Sequence, residues 1–472
     1  MSEPSHSRVF KDTTATSSRS MSPFPEESQQ ATQFDLTTPK GVLAYLASTP
    51  FVSAKAEPLS GGNTNFIFRL HLNTPHHESG RPTLILKHTR PFSASSPDFL
   101  LPVSRQDFEV EALRRVRGTS STISAGLSPQ PSSTSSVDDA AAAATTINVT
   151  VTVPAVYLFD RTHHVIVMDD AGPRSLPVKA ALLLQDDDQQ RGGSSITMMA
   201  VPPPRAAALG TALGAFLRAL HARGRADAEL REAFEASKNR WACDISAWAT
   251  YDRLGATLRA LDRSEDDDGA GSGGRNSRRD QMRLRSVLGD EPLGVPEDTL
   301  RVVEALAEKR AAQMRAGRGD TFLMGDFWPG NILVGEEEEE EEEGKGKGQV
   351  MLVVDWEVAK VGLAGFDVGQ FCAELATLRR LRPERAEAAG EALKSFVRAY
   401  FAGDVGPEAD ERRRVTVGHF GVHLAVWTPR TGWDGGVGPT RALMLDGVAR
   451  MVEGADGDRI WTDEEIIQKF LL

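Results

Sequence analysis

Asp326 and Asn331 lie five residues apart in MGDFWPGNILV (324–334), with Pro329 and Gly330 between them. A Pro-Gly pair favours a tight turn, which brings both side chains to one side of a loop. The apolar run NILV then begins a strand, and a second run, QVMLVVDWE (349–357), ends at Asp355. The eight consecutive glutamates Glu336–Glu343 stand between the runs and read as the tip of a hairpin. Asp355 therefore returns to the open end, beside Asp326 and Asn331. Two carboxylates and an amide oxygen converge there, the ligand type that suits Mg²⁺. Taken singly, Asp326 is a turn cap and Asp355 a strand end. The combination D-x-x-x-x-N followed by apolar-apolar-D across one hairpin is what marks them as chemistry.

That spacing is the one used by a kinase catalytic loop and its downstream metal-binding aspartate. The parts a kinase needs earlier in the chain follow in order. LSGGNTNFIFRL (59–70) sets Gly61, Gly62 and Asn63 before a strand. Such a turn exposes backbone N–H groups that can cover phosphates; a plain hairpin turn is the alternative. LILKH places Lys87 in the next strand, within reach of α- and β-phosphates. The helical stretch RQDFEVEALRRV (105–116) offers Glu109 and Glu111 as its partner, with Glu109 preferred. VIVMDDAG (165–172) falls where two lobes would join, so the backbone at Met168, Asp169 and Asp170 is a candidate to bond an adenine.

The elements that must carry these residues alternate along the chain. FIFRLHL (66–72) and TLILKH (83–88) read as strands around a polar turn. VTVPAVYLFD and HVIVMDD read as a further strand pair, and RQDFEVEALRRV shows an apolar face of Phe108, Val110, Leu113 and Val116. Helices dominate afterwards. In AALGTALGAFLRALHARG, Leu209, Leu213, Phe216, Leu217 and Leu220 recur at helical spacing, with Gly224 as a stop. A strand-rich part followed by a helix-rich part predicts an α+β protein of two lobes: residues 39–168 and 169–472. Residues 1–38 read as a disordered tail, and 118–146, 264–280 and 335–348 as low-complexity insertions too polar to offset their ordering entropy.

Composition narrows the class. The formal net charge is −12, and the glutamate run supplies most of it, which argues against a nucleic-acid binder. Cys243 and Cys372 are the two cysteines, too few for a disulfide framework or a zinc cluster. No run is long and apolar enough for a membrane span, and the N-terminus lacks a signal-peptide core. The expectation is a cytoplasmic protein, with a mitochondrial presequence as the alternative; the oligomeric state is not legible.

The chain resembles the aminoglycoside phosphotransferase and choline kinase superfamily, in particular its fungal members and methylthioribose kinase. The resemblance covers about residues 39–450 without the insertions and rests on MGDFWPGNILV, VVDWEVAKVGLAGFDVGQF and LGTALGAFLRALHARG. It implies a protein-kinase-like fold, with ATP and Mg²⁺ as cofactors. Asp326 would be the catalytic base for an acceptor hydroxyl, and Asn331 and Asp355 would be metal ligands. Glu357 matches the D-x-E form of the metal motif. Lys87 and Glu109 would hold the phosphates, under Gly61 and Gly62. Met324 departs from the family's histidine before Gly-Asp. Asp367, ahead of a helical pattern, reads as that helix's N-cap, and the resemblance adds a brace for the catalytic loop; both roles can hold, and both are structural.

The expected activity is transfer of the ATP γ-phosphate to a hydroxyl of a small molecule. A protein kinase is the first rival, but eleven residues separate Asp355 from Asp367 and no Ala-Pro-Glu follows. A nucleotide-binding pseudokinase is the second, favoured only by Met324. The acceptor site is expected from the helical part after residue 200 and from HFGVHLAVWTPRTGWDGG, which carries His419, His423, Trp427, Arg430, Trp433 and Asp434. Aromatic and acidic groups there suit a cationic amine, and Arg430 suits a phosphate or carboxylate.

Overall fold

Alternating apolar residues in the first part of the chain build an antiparallel sheet. Its strands are β1 (Ser53–Pro58), β2 (Phe66–Leu72), β3 (Thr83–His88), β8 (Val156–Asp160) and β9 (Val165–Asp169), in the order β1-β2-β3-β9-β8. Phe68, Leu70, Leu84, Leu86, Val165 and Val167 share a buried cluster with the helix Pro39–Leu46. Ile67 of β2 and Ile166 of β9 flank Lys87 in register, so this lysine sits mid-sheet. A short ribbon of β4 (Phe92–Ser93) and β5 (Ser96–Leu100) follows β3. The computed structural model describes residues 34–60, 62–127, 145–184, 201–260, 275–338, 347–431, 433 and 435–471. The tail 1–33, Gly61, Asp434 and the middle of each expected insertion lie outside the described residues.

A second sheet carries the chemistry. Its strands are β6 (Ser121–Leu127), β7 (Thr145–Thr152), β10 (Leu176–Pro177), β12 (Ile332–Glu338) and β13 (Lys347–Val353), in the order β10-β12-β13-β7-β6. Between them, β11 (Thr321–Leu323) pairs with β14 (Lys360–Gly362). Here the insertion boundaries need correction. The ends of 118–146 form β6 and β7, and β7 runs parallel to β13 with Val151 beside Met351. Ile147, Val149 and Val151 alternate and are buried in the main core, which is why this stretch pairs instead of looping. It joins the sheet of the second lobe, not the first. Likewise the end of 264–280 begins the helix Arg275–Leu288, and the flanks of 335–348 extend β12 and β13.

Helices pack behind this sheet. Pro203–Ala226 buries Leu209, Leu213, Phe216, Leu217 and Leu220, as its periodicity predicts. Gly224 does not stop it: the helix runs two residues further. A Cβ at Gly224 would lie 2.4 Å from Thr321 Oγ1, so the glycine lets the helix touch β11. The chain turns at Asp227, whose side chain accepts from Leu230 N and caps the next helix. Among the described residues no helix is long and apolar enough to cross a membrane.

Candidate active site

The catalytic loop hangs from one buried carboxylate. Asp367 Oδ2 accepts the Met324 N–H at 3.0 Å and Oδ1 the Gly325 N–H at 2.9 Å. His221 Nε2 lies 3.2 Å from the same carboxylate, and His221 Nδ1 lies 2.8 Å from the Tyr400 hydroxyl. Asp367 lies inside the first turn of the helix Gly365–Leu381 and makes no capping bond to it. The bracing role therefore holds and the N-cap role does not. Met324 is fully buried in the core, and its backbone is anchored although no histidine stands there. Gly325 has φ 86°, and a Cβ on it would lie 2.4 Å from Lys360 Nζ. Lys360 is itself buried and donates to Ser246 Oγ at 2.9 Å and Val358 O at 3.0 Å.

This bracing delivers Asp326 to the open end of the β12–β13 hairpin. Gln370 Nε2 donates to Asp326 Oδ1 at 2.6 Å and Asn331 Nδ2 to Oδ2 at 2.9 Å. Burial pushes the Asp326 carboxyl up to about 6; the Asp355 charge adds to this, and Gln370, Asn331 and Lys360 offset part of it. Ile332 pairs with Val353, and Val354 N donates to Asn331 O at 2.9 Å, so Asn331 and Asp355 lie one register position apart at the hairpin mouth. Asp355 has φ 66°, a left-handed conformation that turns the chain out of the strand. Its side chain keeps about a third of its surface exposed (34%), unlike the buried Glu109 and Glu357.

From the other sheet, Lys87 closes the site. Its Nζ donates to Glu109 Oε1 at 2.7 Å and touches Asp355 Oδ1. Burial alone would lower the lysine, but Asp355, Glu109 and Glu357 hold it well above the ordinary range. The choice between the two glutamates is decided: Glu109 is buried, whereas Glu111 pairs with Arg115 at 2.6 Å on the surface.

Glu357 stands differently from Asp355. Its Oε1 accepts from Thr64 Oγ1 at 3.0 Å, and its Oε2 from Asn65 Nδ2 at 3.0 Å and Arg105 Nε at 3.2 Å. Burial opposes its charge, but Arg105, Lys87 and these donors outweigh it and hold the carboxyl below its usual range. Both oxygens are thus engaged by the turn after the glycines. Within that turn Gly62 meets Ile67 closely, and Asn63 O accepts from Ser93 Oγ at 2.6 Å and Ser95 N at 3.0 Å.

The residues read as an adenine contact are occupied. Met168 is buried in β9 between β3 and β8. Asp169 accepts from Tyr157 Oη at 2.6 Å and Ala155 N at 2.8 Å, and its own N–H donates to Ala155 O. Asp170 receives Arg69 Nε at 2.6 Å and Nη2 at 3.1 Å, and its carbonyl takes Arg81 Nη1 at 2.8 Å. These groups tie β9 to β2, to the turn before β3 and to β8 within the first sheet.

The segment 419–436 divides. His419 lies 2.7 Å from the Tyr251 hydroxyl, and Arg430 is paired with Asp280 at 2.8 Å; both are structural. His423 and Trp433 join a group that sequence reasoning did not assemble. His423 Nε2 lies 3.0 Å from Glu374 Oε1, and the Lys179 ammonium lies 3.7 Å from the Trp433 ring centroid and 5.3 Å from that of Trp328. Trp427 stacks on His423 with centroids 6.0 Å apart. Gln370, Arg105, Lys179 and Glu374 were all missed. Arg105 and Glu109 are four apart on a polar stripe, a signal that reads equally as a solvent face; nothing local marks Lys179.

The residues fit a divalent cation at one place. Asn331 Nδ2 is spent on Asp326, which leaves its amide oxygen, and the exposed Asp355 carboxylate stands at the same hairpin mouth. Among the described residues no three His, Cys, Asp or Glu side chains form a metal cage; Mg²⁺ ordinarily takes one or two carboxylates plus phosphates and water.

The 4-hydroxytryptamine kinase of Psilocybe cyanescens is 24% identical over 405 residues, 85% of this chain and 88% of that protein. The 4-hydroxytryptamine kinase of Psilocybe cubensis matches with the same identity and coverage. A choline/ethanolamine kinase family protein from Mesorhizobium loti aligns over 92% of this chain and 97% of its own, with a TM-score of 0.39 and 16% identity. The model of the phosphotransferase enzyme family, APH, matches residues 57–410, most of the chain. The chain belongs to that family.

Proposed function

We propose that this phosphotransferase moves the γ-phosphoryl group of ATP, with Mg²⁺, onto a hydroxyl of a small molecule. The observation that carries the reading is the meeting of Lys87, Glu109, Asp355, Asn331 and Asp326 at the mouth of one hairpin. Lys87, fixed by Glu109, holds the phosphates; Asp355 and the Asn331 amide oxygen hold the metal. When bound, Mg²⁺ offsets charge on the phosphates during transfer. Asp326, kept in place by Gln370 and Asn331, orients the acceptor O–H and receives its proton as the oxygen bonds phosphorus and ADP departs. A carboxyl near pH 6 is ionised at neutral pH yet basic enough for that task. Glu357 serves as a latch between the glycine turn and the metal motif, with both its oxygens taken.

A pseudokinase reading rested on Met324. The Asp367 brace supports an ordered catalytic loop without a histidine at that position. The test is Mg²⁺-dependent ADP release against sugars, aminoglycosides and hydroxylated amines; the named relatives act on 4-hydroxytryptamine. Release that requires one acceptor, and vanishes in Asp326→Asn, supports the reading. Nucleotide binding with no acceptor-dependent release across a broad panel supports the pseudokinase.

A further inference from the structure

The side of the site away from Lys87 holds a cation of its own. Trp328 lies two residues beyond Asp326 in the catalytic loop, and Trp433 follows the 428–430 turn. The Lys179 ammonium sits on both indoles, 3.7 Å from the Trp433 centroid and 5.3 Å from the Trp328 centroid. Glu374 Oε2 completes the set at 3.7 Å from Lys179 Nζ. Glu374 is 95% buried (5% exposed), and among the described residues its Oε2 has no hydrogen bond, so Lys179 is its counter-charge. Glu374 follows Gln370 by one helical turn on the same face, and Gln370 holds Asp326. The cage therefore adjoins the catalytic carboxylate on the acceptor side.

Two indole faces and a buried carboxylate are what an organic ammonium requires. Here a lysine on the short helix Val178–Leu183 supplies the ammonium from within the chain. A free amine would have to displace a tethered one, whose effective concentration is on the order of millimolar or higher. We propose that Lys179 is a specificity-determining residue: its ammonium fills the Trp328–Trp433 cage and neutralises Glu374, so the acceptor presents an uncharged or anionic group there, not a cationic amine. This rests on the site being the acceptor side of the phosphotransferase reading above. Burial lowers the Lys179 pKa, and the Glu374 carboxylate offsets part of that.

The probe is tetramethylammonium, titrated calorimetrically at constant ionic strength without nucleotide, so the result does not depend on turnover. Wild type is expected to show no saturable binding. Lys179→Met, with folding checked by its melting curve, is expected to bind at least about tenfold tighter, the scale of a desolvated cation–π contact. Adding Glu374→Gln to that variant should abolish the gain. Lys179→Gln is the second variant if the Met form does not fold. Saturable wild-type binding that the Lys179 variants do not improve would overturn the proposal. Absence of acceptor-dependent ADP release in the wild type with the titration result intact would instead count against the kinase reading.

Discussion

Two pairs of aspartates in this chain look alike in sequence and stand in opposite surroundings. Asp169 ends β9 with Asp170 next to it, Asp355 follows β13, and Asp326 follows β11. The first pair is saturated: Asp170 is 1% exposed under a two-pronged Arg69 contact, and Asp169 takes Tyr157 and Ala155. The second pair is held but unfinished. Asp326 is fixed by two amide donors and carries a raised pKa, while Asp355 keeps exposed surface and left-handed backbone. A buried acid whose oxygens are fully matched by an arginine is structural, whereas one positioned by neutral donors beside a second carboxylate is free to react.

The contrast can be broken most forcefully at Asp326. Asp326→Asn should lower turnover by ~10²–10⁴-fold, the worth of a positioned base, with no fall in the melting temperature. Steady-state ADP release reads this, and an unaltered rate removes Asp326 from the chemistry. Asp170→Ala should do the reverse. Leaving Arg69 buried without its partner should cost about 3–5 kcal/mol of stability in denaturant unfolding, with turnover per folded molecule intact. A stable variant with a raised KM for ATP would return this pair to the nucleotide site.

Gln370→Leu sharpens the comparison. Removing one hydrogen bond to a charged group should cost roughly tenfold in turnover. Turnover needs Asp326 ionised, so the wild-type rate should fall as pH drops through about 6. Gln370 stabilises the charged form, so its loss should move that acid limb upward. The same shift acts oppositely on stability: Asp326 binds its proton more tightly folded than unfolded. Its contribution therefore grows as pH falls from about 6 towards the ordinary carboxylate value of ~3.9. The smallest effect is expected at Glu111→Gln, which loses an exposed helical pair worth ~0.3–0.5 kcal/mol. Glu109→Gln, two residues away, should raise the KM for ATP, because Lys87 loses its fixed partner. Equal behaviour of the two variants would erase the distinction drawn between them.

Much of the site was legible because it is local. The Pro-Gly turn, the two apolar runs and the polar tip dictate a hairpin, and a hairpin fixes which residues meet at its mouth. Asn331 opposite Val354, one residue before Asp355, follows from that register alone. The β6–β7 pair was misread because its apolar alternation is split by a low-complexity stretch, and its partner β13 lies some 200 residues away (Val151 beside Met351). Glu357 was read with Asp355 through the D-x-E form of the resemblance's metal motif; in the structure Asp355 touches Lys87, while Glu357 meets Thr64, Asn65 and Arg105.

By itself, then, the sequence determined the two-part α+β order, the hairpin at whose mouth Asp326, Asn331 and Asp355 gather, and the Lys87 strand, all set by periodicity and short-range turn chemistry. Tertiary structure alone decided which glutamate holds Lys87, that Asp367 braces the loop with His221, and that Lys179 sits in a cage with Trp328, Trp433 and Glu374. Those contacts join residues up to 254 positions apart, as Lys179 and Trp433 are, and the spacing of side chains along one element carries no information about what another element brings beside it.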